Sequence, residues 1–196
     1  MKKIIVLVAL VTLAATSAFG AISGTAHDLS GKGTGVDEIC AFCHTPHNGG
    51  TQAPLWNRGV GTSVTVEYNS STMNAVSGSG GTSDAPLCLS CHDSATLTTL
   101  QLTNVPNGDT FNPSGLTLAT NADLGTDLGN DHPVGFAYSA STADPGINNS
   151  IIGTAVTTFD GNVWCSSCHD VHDNSVPPFL VQSNSNSALC LACHNK

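Results

Sequence analysis

Apolar residues are spread unevenly along this 196-residue chain. One dense run, Ile4 to Ala15, follows Lys2 and Lys3 and leads to Ala18-Phe19-Gly20. A basic start, a short apolar stretch and small residues at a cleavage point make an export signal, too short and wrongly flanked for a spanning helix. Residues 1–20 are therefore expected to be a signal peptide, with the mature chain starting near Ala21. The competing reading is a retained membrane anchor. The first cysteine is Cys40, so no lipid is expected at the cleavage point. No later stretch is apolar enough to cross a membrane, and no membrane anchor is expected in the mature chain.

Past Ala21 no long apolar-periodic segment occurs. Gly, Ser, Thr and Asn dominate, and the segment from Gln101 to Asn130 holds Pro106, Pro113 and Asn/Asp-Gly neighbours that signal turns. A hairpin is expected around Val64-Thr65-Val66. The pattern predicts an irregular, loop-rich fold of mostly short helices with little sheet. So few apolar and aromatic residues build too thin a core, which points to disorder or to an external staple.

Charge narrows the partners. The full chain carries a net −9. Beyond the signal, Lys32, Arg58 and Lys196 stand against all fourteen acids. Such a surface repels nucleic acid and anionic lipid and suits cationic partners or metal ions.

Eight cysteines supply the staple. In an exported chain disulfides are the default, so spacing decides. Every cysteine falls in one pattern: Cys40-Ala41-Phe42-Cys43-His44, Cys88-Leu89-Ser90-Cys91-His92, Cys165-Ser166-Ser167-Cys168-His169 and Cys190-Leu191-Ala192-Cys193-His194. C-x-x-C-H is the attachment signature of c-type haem, in which both thiols bond the porphyrin and the adjacent imidazole ligates iron. Paired C-x-x-C also builds zinc ribbons, but a ribbon does not require a histidine after every second cysteine. Four covalently bound c-type haems are expected, with the fold arranged around their stack.

The histidines close the count. Four of the eight are proximal, namely His44, His92, His169 and His194; His27, His47, His132 and His172 remain, one for each second axial position. Bis-histidine ligation is expected throughout, with low potentials. Met73, the one methionine beyond the signal, is the competing axial ligand. His47 and His172 each follow a proximal histidine by three residues and cannot share its iron, because axial ligands approach from opposite faces. They must reach another haem, which forces close packing.

The ligands repeat. His27, His44 with His47, and His92 form one set; His132, His169 with His172, and His194 form the next. Flanking residues agree, Leu87-Cys88-Leu89 with Leu189-Cys190-Leu191 and Pro54-Leu55 with Pro178-Phe179. This predicts two di-haem units, 21–118 and 119–196. With CHTPH followed by LCLSCH, and CHDVH followed by LCLACH, the chain resembles the doubled C-x-x-C-H family of multihaem cytochromes. The stretches EICAFCHTPHN and DHPVGF resemble members from metal-reducing bacteria. Size and haem count are similar to extracellular tetrahaem filament (nanowire) cytochromes of the OmcE kind. That resemblance implies a continuous haem stack, redox partner proteins or extracellular metal acceptors, and a head-to-tail homopolymer.

Three functions compete. An electron carrier, as filament subunit or soluble shuttle in the extracellular or periplasmic space, needs no catalytic residue. A multihaem oxidoreductase needs an open iron position, and eight histidines leave none. A module delivering electrons to a reductase or porin complex needs a docking face that the sequence does not locate. Within the filament reading, His27 is the candidate for a ligand supplied to a neighbouring molecule, since it lies in a glycine-rich terminal arm. The alternative is that it folds back onto the haem at Cys40–Cys43.

Overall fold

The computed structural model describes residues 22–51, 54–61, 64–80 and 83–195. The export signal lies outside them. Among the described residues no helix is long and apolar enough to cross a membrane. Regular structure is sparse. The helices are α1 (Ala85–His92), α2 (Tyr138–Ser141) and α3 (Ala188–Leu191), with 3-10 turns at Ile39–Phe42, Pro106–Gly108, Pro113–Gly115, Thr120–Ala122, Cys165–Ser167 and Ser185–Ser187. Among the described residues the one sheet pairs β1 (Phe136–Ala137) with β2 (Asn162–Val163), antiparallel. The loop-rich architecture with little sheet is as the residue pattern predicts. Three of the 3-10 turns fall in the Pro- and Asn-rich segment from Gln101 to Asn130.

The expected hairpin at Val64-Thr65-Val66 does not form. Thr65 N donates to Thr126 O at 2.7 Å and Leu128 N to Val66 O at 2.9 Å, with Val66 and Asp127 bridged in parallel. Alternation marks an extended segment but not its partner, and here the partner lies some sixty residues on.

Among the described residues three small apolar clusters form the core. Val36, Ala41, Phe42, Leu97, Leu102, Phe111 and Leu116 make the largest, with Phe42 edge-on to Phe111 at 6.3 Å. Ala75 packs with Phe136 and Val163. Ala85, Leu89 and Leu128 form the third, and Cys165 lies against them. α1 starts with Pro86 in its first turn, where the missing N–H costs nothing. It is buried on most sides, through Ala85, Pro86, Leu87, Leu89 and Ser90. Gly61 lets the chain pass against it: Gly61 N donates to Pro86 O at 2.7 Å, and a Cβ at Gly61 would meet Leu89 backbone at 2.6 Å.

Candidate functional site

All four C-x-x-C-H motifs sit on a single helical turn. His44 N donates to Cys40 O at 2.8 Å, His169 N to Cys165 O at 3.1 Å and His194 N to Cys190 O at 2.9 Å. The other motif closes α1, which ends at His92. A helical turn puts residues i, i+3 and i+4 on one face. Each motif therefore turns both thiols and its imidazole the same way. All eight cysteines are free thiols. Cys43 is open to solvent, yet burial, with Cys91 adding to it, pushes its thiol up to about 12.

The imidazoles are oriented from behind. His44 Nδ1 lies 2.8 Å from Pro54 O, His92 Nδ1 2.7 Å from Ala122 O, and His169 Nδ1 3.0 Å from Pro178 O. Of the others, His132 Nδ1 lies 2.9 Å from Pro133 O, and His172 Nδ1 3.7 Å from Asp170 Oδ1. A backbone carbonyl at Nδ1 fixes that nitrogen as the N–H and leaves Nε2 as the metal-binding atom. The carbonyls facing His44 and His169 come from one recurring frame. Leu55 and Phe179, each after the proline, both have φ +58°. Positive φ strains bulky residues and persists only where the surroundings enforce it. In that frame Thr45 N donates to Leu55 O and Asp170 N to Phe179 O, both at 2.8 Å. Asn57 N meets Cys43 O at 2.8 Å, and Val181 N meets Cys168 O at 3.0 Å.

Ring spacing tests the fit to haem. A metal–imidazole bond of about 2 Å, with the nitrogen about 1.1 Å from its ring centre, puts two axial imidazoles about 6 Å apart across one iron. Rotation about the metal–nitrogen axis leaves that spacing unchanged. His27 and His92 are 6.0 Å apart, His132 and His194 6.3 Å, and His44 and His172 6.1 Å, with interplanar angles of 79°, 87° and 18°. The first two pairs occupy matching places in the repeat, and the third crosses between its halves. Among the described residues no such ring contact joins His47, which is exposed, to His169.

His27 departs from both expectations made for it. It neither hangs free as an arm nor folds back onto the Cys40–Cys43 motif. Its ring stacks on Phe179 at 4.5 Å and faces His92 of its own chain. Burial, then the neighbouring His92, His169 and His172, lowers its pKa to about 4. The neutral form that results is the one that can ligate a metal.

Four residues of the site carry no motif. Asp84 Oδ1 accepts from Cys165 N at 3.0 Å and Oδ2 from Ser166 N at 2.8 Å. Its carboxylate thereby ties the entrance of α1 to the Cys165–Ser167 turn. The ligating atoms of Asp84, Cys88 and Cys165 lie within 4.8 Å of one another, so the thiols of these two motifs adjoin. A hydrogen bond with Cys88, followed by burial, pushes the Cys165 thiol up. Trp56 meets His44 edge-on at 6.4 Å, and its indole Nε1 is buried without a hydrogen-bond partner. A buried orphan donor is costly, and a carboxylate or ring acceptor of a group seated at His44 would satisfy it. Asn57 and Arg58 are both buried and bond across to other loops. Lone residues in loops, without period or motif, gave the sequence no means of finding these four.

The model of a family described as "Doubled CXXCH motif" matches residues 158–196, the third and fourth motifs. The match supports a multihaem c-type cytochrome, with covalently bound haem and electron transfer as its activity. No curated protein matches the chain.

Proposed function

We propose that this chain is an exported tetrahaem cytochrome, bis-histidine and low in potential, that carries electrons as a subunit of an extracellular filament. Haem would be held at Cys40 and Cys43 with His44, Cys88 and Cys91 with His92, Cys165 and Cys168 with His169, and Cys190 and Cys193 with His194. The observation that carries this reading is the three imidazole pairs at the spacing of ligands across one iron. On this reading His27, His172 and His132 would be the second ligands at His92, His44 and His194. The repeat leaves His47 for His169, the reciprocal of His172 on His44. Haem supplies a one-electron couple at iron. The chain's residues would hold the axial positions, fix the proximal imidazoles of His44, His92 and His169 through Nδ1, and bring the second and third motifs together through Asp84. Duplicated di-haem units, 21–118 and 119–196, account for the matching pairs.

Since His47 is exposed and, among the described residues, makes no ring contact with His169 of its own chain, the His169 it serves is that of a neighbouring molecule, and His47 replaces His27 in that role. An oxidoreductase is the second reading, and the missing ring contact at His169 is what favours it. Carbon monoxide separates the two. The carrier reading predicts that fully reduced protein stays low-spin and binds none quickly. Rapid binding at one haem in four would establish one open iron and favour the oxidoreductase. Electron microscopy of material sheared from cells tests the filament, which fails if the purified cytochrome is found only as dispersed monomers.

A further inference from the structure

The second ligands are oriented by two different devices. An imidazole turns easily about the bond to its ring, where the torsion is broad, so something must fix its plane. His132 is held through Nδ1, 2.9 Å from Pro133 O, and His172 has Asp170 Oδ1 at 3.7 Å from Nδ1. Among the described residues only the backbone of His27 makes a hydrogen bond, its N donating to Thr25 Oγ1 at 3.2 Å. The face of its ring lies instead on the phenyl ring of Phe179, with centres 4.5 Å apart and planes 23° from parallel. That is the geometry of an aromatic stack.

Phe179 is itself anchored. Its N donates to Asn174 Oδ1 at 2.9 Å, its O accepts from Asp170 N at 2.8 Å, and it is 7% exposed. Its φ of +58° is one that a bulky residue adopts only where its surroundings enforce it. Leu55, its counterpart in the first half, has the same φ but is 46% exposed. The frame recurs, then, while the buried ring does not. Phe179 directly follows Pro178, whose carbonyl faces His169 Nδ1. Adjacent residues thus touch the proximal ligand of the third motif and the second ligand paired with the second motif.

The paired ring planes fall into two classes. His27 with His92 and His132 with His194 are crossed, at 79° and 87°, whereas His44 and His172 are 18° from parallel. Parallel axial imidazoles both donate into one iron d orbital and split it from its partner. Crossed imidazoles donate into one orbital each and leave the two nearly equal in energy. The splitting stabilises ferric iron, whose electron hole sits in the raised orbital. We propose that Phe179 is a positioning residue for the haem at Cys88–His92: stacked on His27, it holds that imidazole crossed against His92, which keeps the iron orbitals nearly equal and raises the couple. Turning His27 toward the plane of His92 would drive one edge of its ring into the phenyl face. Reduction of that haem adds one electron at iron, with no bond or proton moved.

This inference rests on the bis-histidine reading, and the experiment separates the two. Low-temperature electron paramagnetic resonance of the oxidised holoprotein tells crossed ligands, which give a broad signal at large g, from near-parallel ones, which give a rhombic signal. Full-length wild type is compared with H27A, F179L and F179Y, each first weighed for four haems. H27A should replace one large-g signal by a high-spin one. If H27A leaves every haem low-spin, the pairing itself fails; if the signal it removes is rhombic, the pairing stands and only this proposal falls. F179L should keep four low-spin haems, yet move that same signal from large g to rhombic and lower one couple. The large-g signal of the His132–His194 haem should stay. F179Y keeps a flat ring and should keep the wild-type spectrum. An unchanged spectrum in F179L, or equal changes in F179L and F179Y, would overturn the proposal. Should F179L not mature, F179M, apolar but without a flat face, is read in its place. Failure of both to mature while F179Y matures marks a structural role alone and overturns it too.

Discussion

Leu89 and Leu191 hold the same place in their motifs, yet Leu89 is 2% exposed and Leu191 is 44%. The difference extends to their surroundings. In the first half α1 is enclosed by the Ala85–Leu89–Leu128 cluster, and Ala41 and Phe42 of the first motif belong to the largest core. In the second half α3 buries none of its residues, and the Cys165–Ser167 turn buries only Ser167. Asn57 is 1% exposed and ties three loops together, donating to Ala41 O at 2.6 Å and Asn104 O at 2.8 Å and accepting from Asn104 N at 2.8 Å. Its counterpart, Val181, brings no side-chain hydrogen bond. One ligand frame is thus supported in two ways, by an enclosed helix and the largest apolar cluster in the first half, and in the second by shorter turns with fewer buried residues, Phe179 and Ala192 among them. On the proposed function, the second half would take further apolar packing from covalently attached haem.

Removing haem should expose that contrast most strongly. Chain made in a host without haem attachment should lose amide protection throughout 165–195 while retaining it in 85–92. Uniform loss in both, measured by hydrogen exchange, would break the comparison. Next in size is Asn57→Ala, which leaves Ala41 O without its buried donor and the half-buried Asn104 N–H without its acceptor, and should cost about 3 kcal/mol; Val181→Ala should cost less than about 1 kcal/mol. Denaturant unfolding of the holoprotein measures both. Leu89→Ala should cost about 3 kcal/mol, through lost transfer energy and a cavity, against less than about 1 kcal/mol for half-exposed Leu191→Ala. Equal costs would mean that Leu191 is packed as tightly as Leu89. The smallest effect belongs to Asp84→Asn. It keeps one acceptor for the Cys165 and Ser166 amides but loses the charge, and should cost about 1 kcal/mol. Asp84→Ala should cost more.

Much of this was legible in the residues. C-x-x-C-H dictates one helical turn, because its thiols and imidazole must share a face, and all four motifs adopt one. Proline and asparagine placed the turns of the Gln101–Asn130 segment. Spacing excluded a common iron for His169 and His172 but held no information on where His172 goes; its place beside His44 comes from the fold. The same limit misdirected His27, since a glycine-rich arm looks unpacked until Phe179 is brought against it from the far end of the chain. It misdirected Val64–Val66 too, whose partner strand is remote. Arg58, Asp84 and Trp56 were invisible because their roles lie in contacts between loops, which leave no period or motif.

Intact mass and oxidised spectra of the exported protein, taken on one sample, test the central claim most directly. The account predicts a chain starting near Ala21 with four haem increments that survive acid-acetone extraction, and every iron low-spin. A single distal substitution, His132→Ala, should then create one high-spin, carbon monoxide-binding haem while all four increments remain. A mass equal to the bare polypeptide with four disulfides, or with bound zinc, would contradict the account outright. An unchanged low-spin spectrum in His132→Ala would remove His132 from iron and, with it, the pairing on which the proposed function rests.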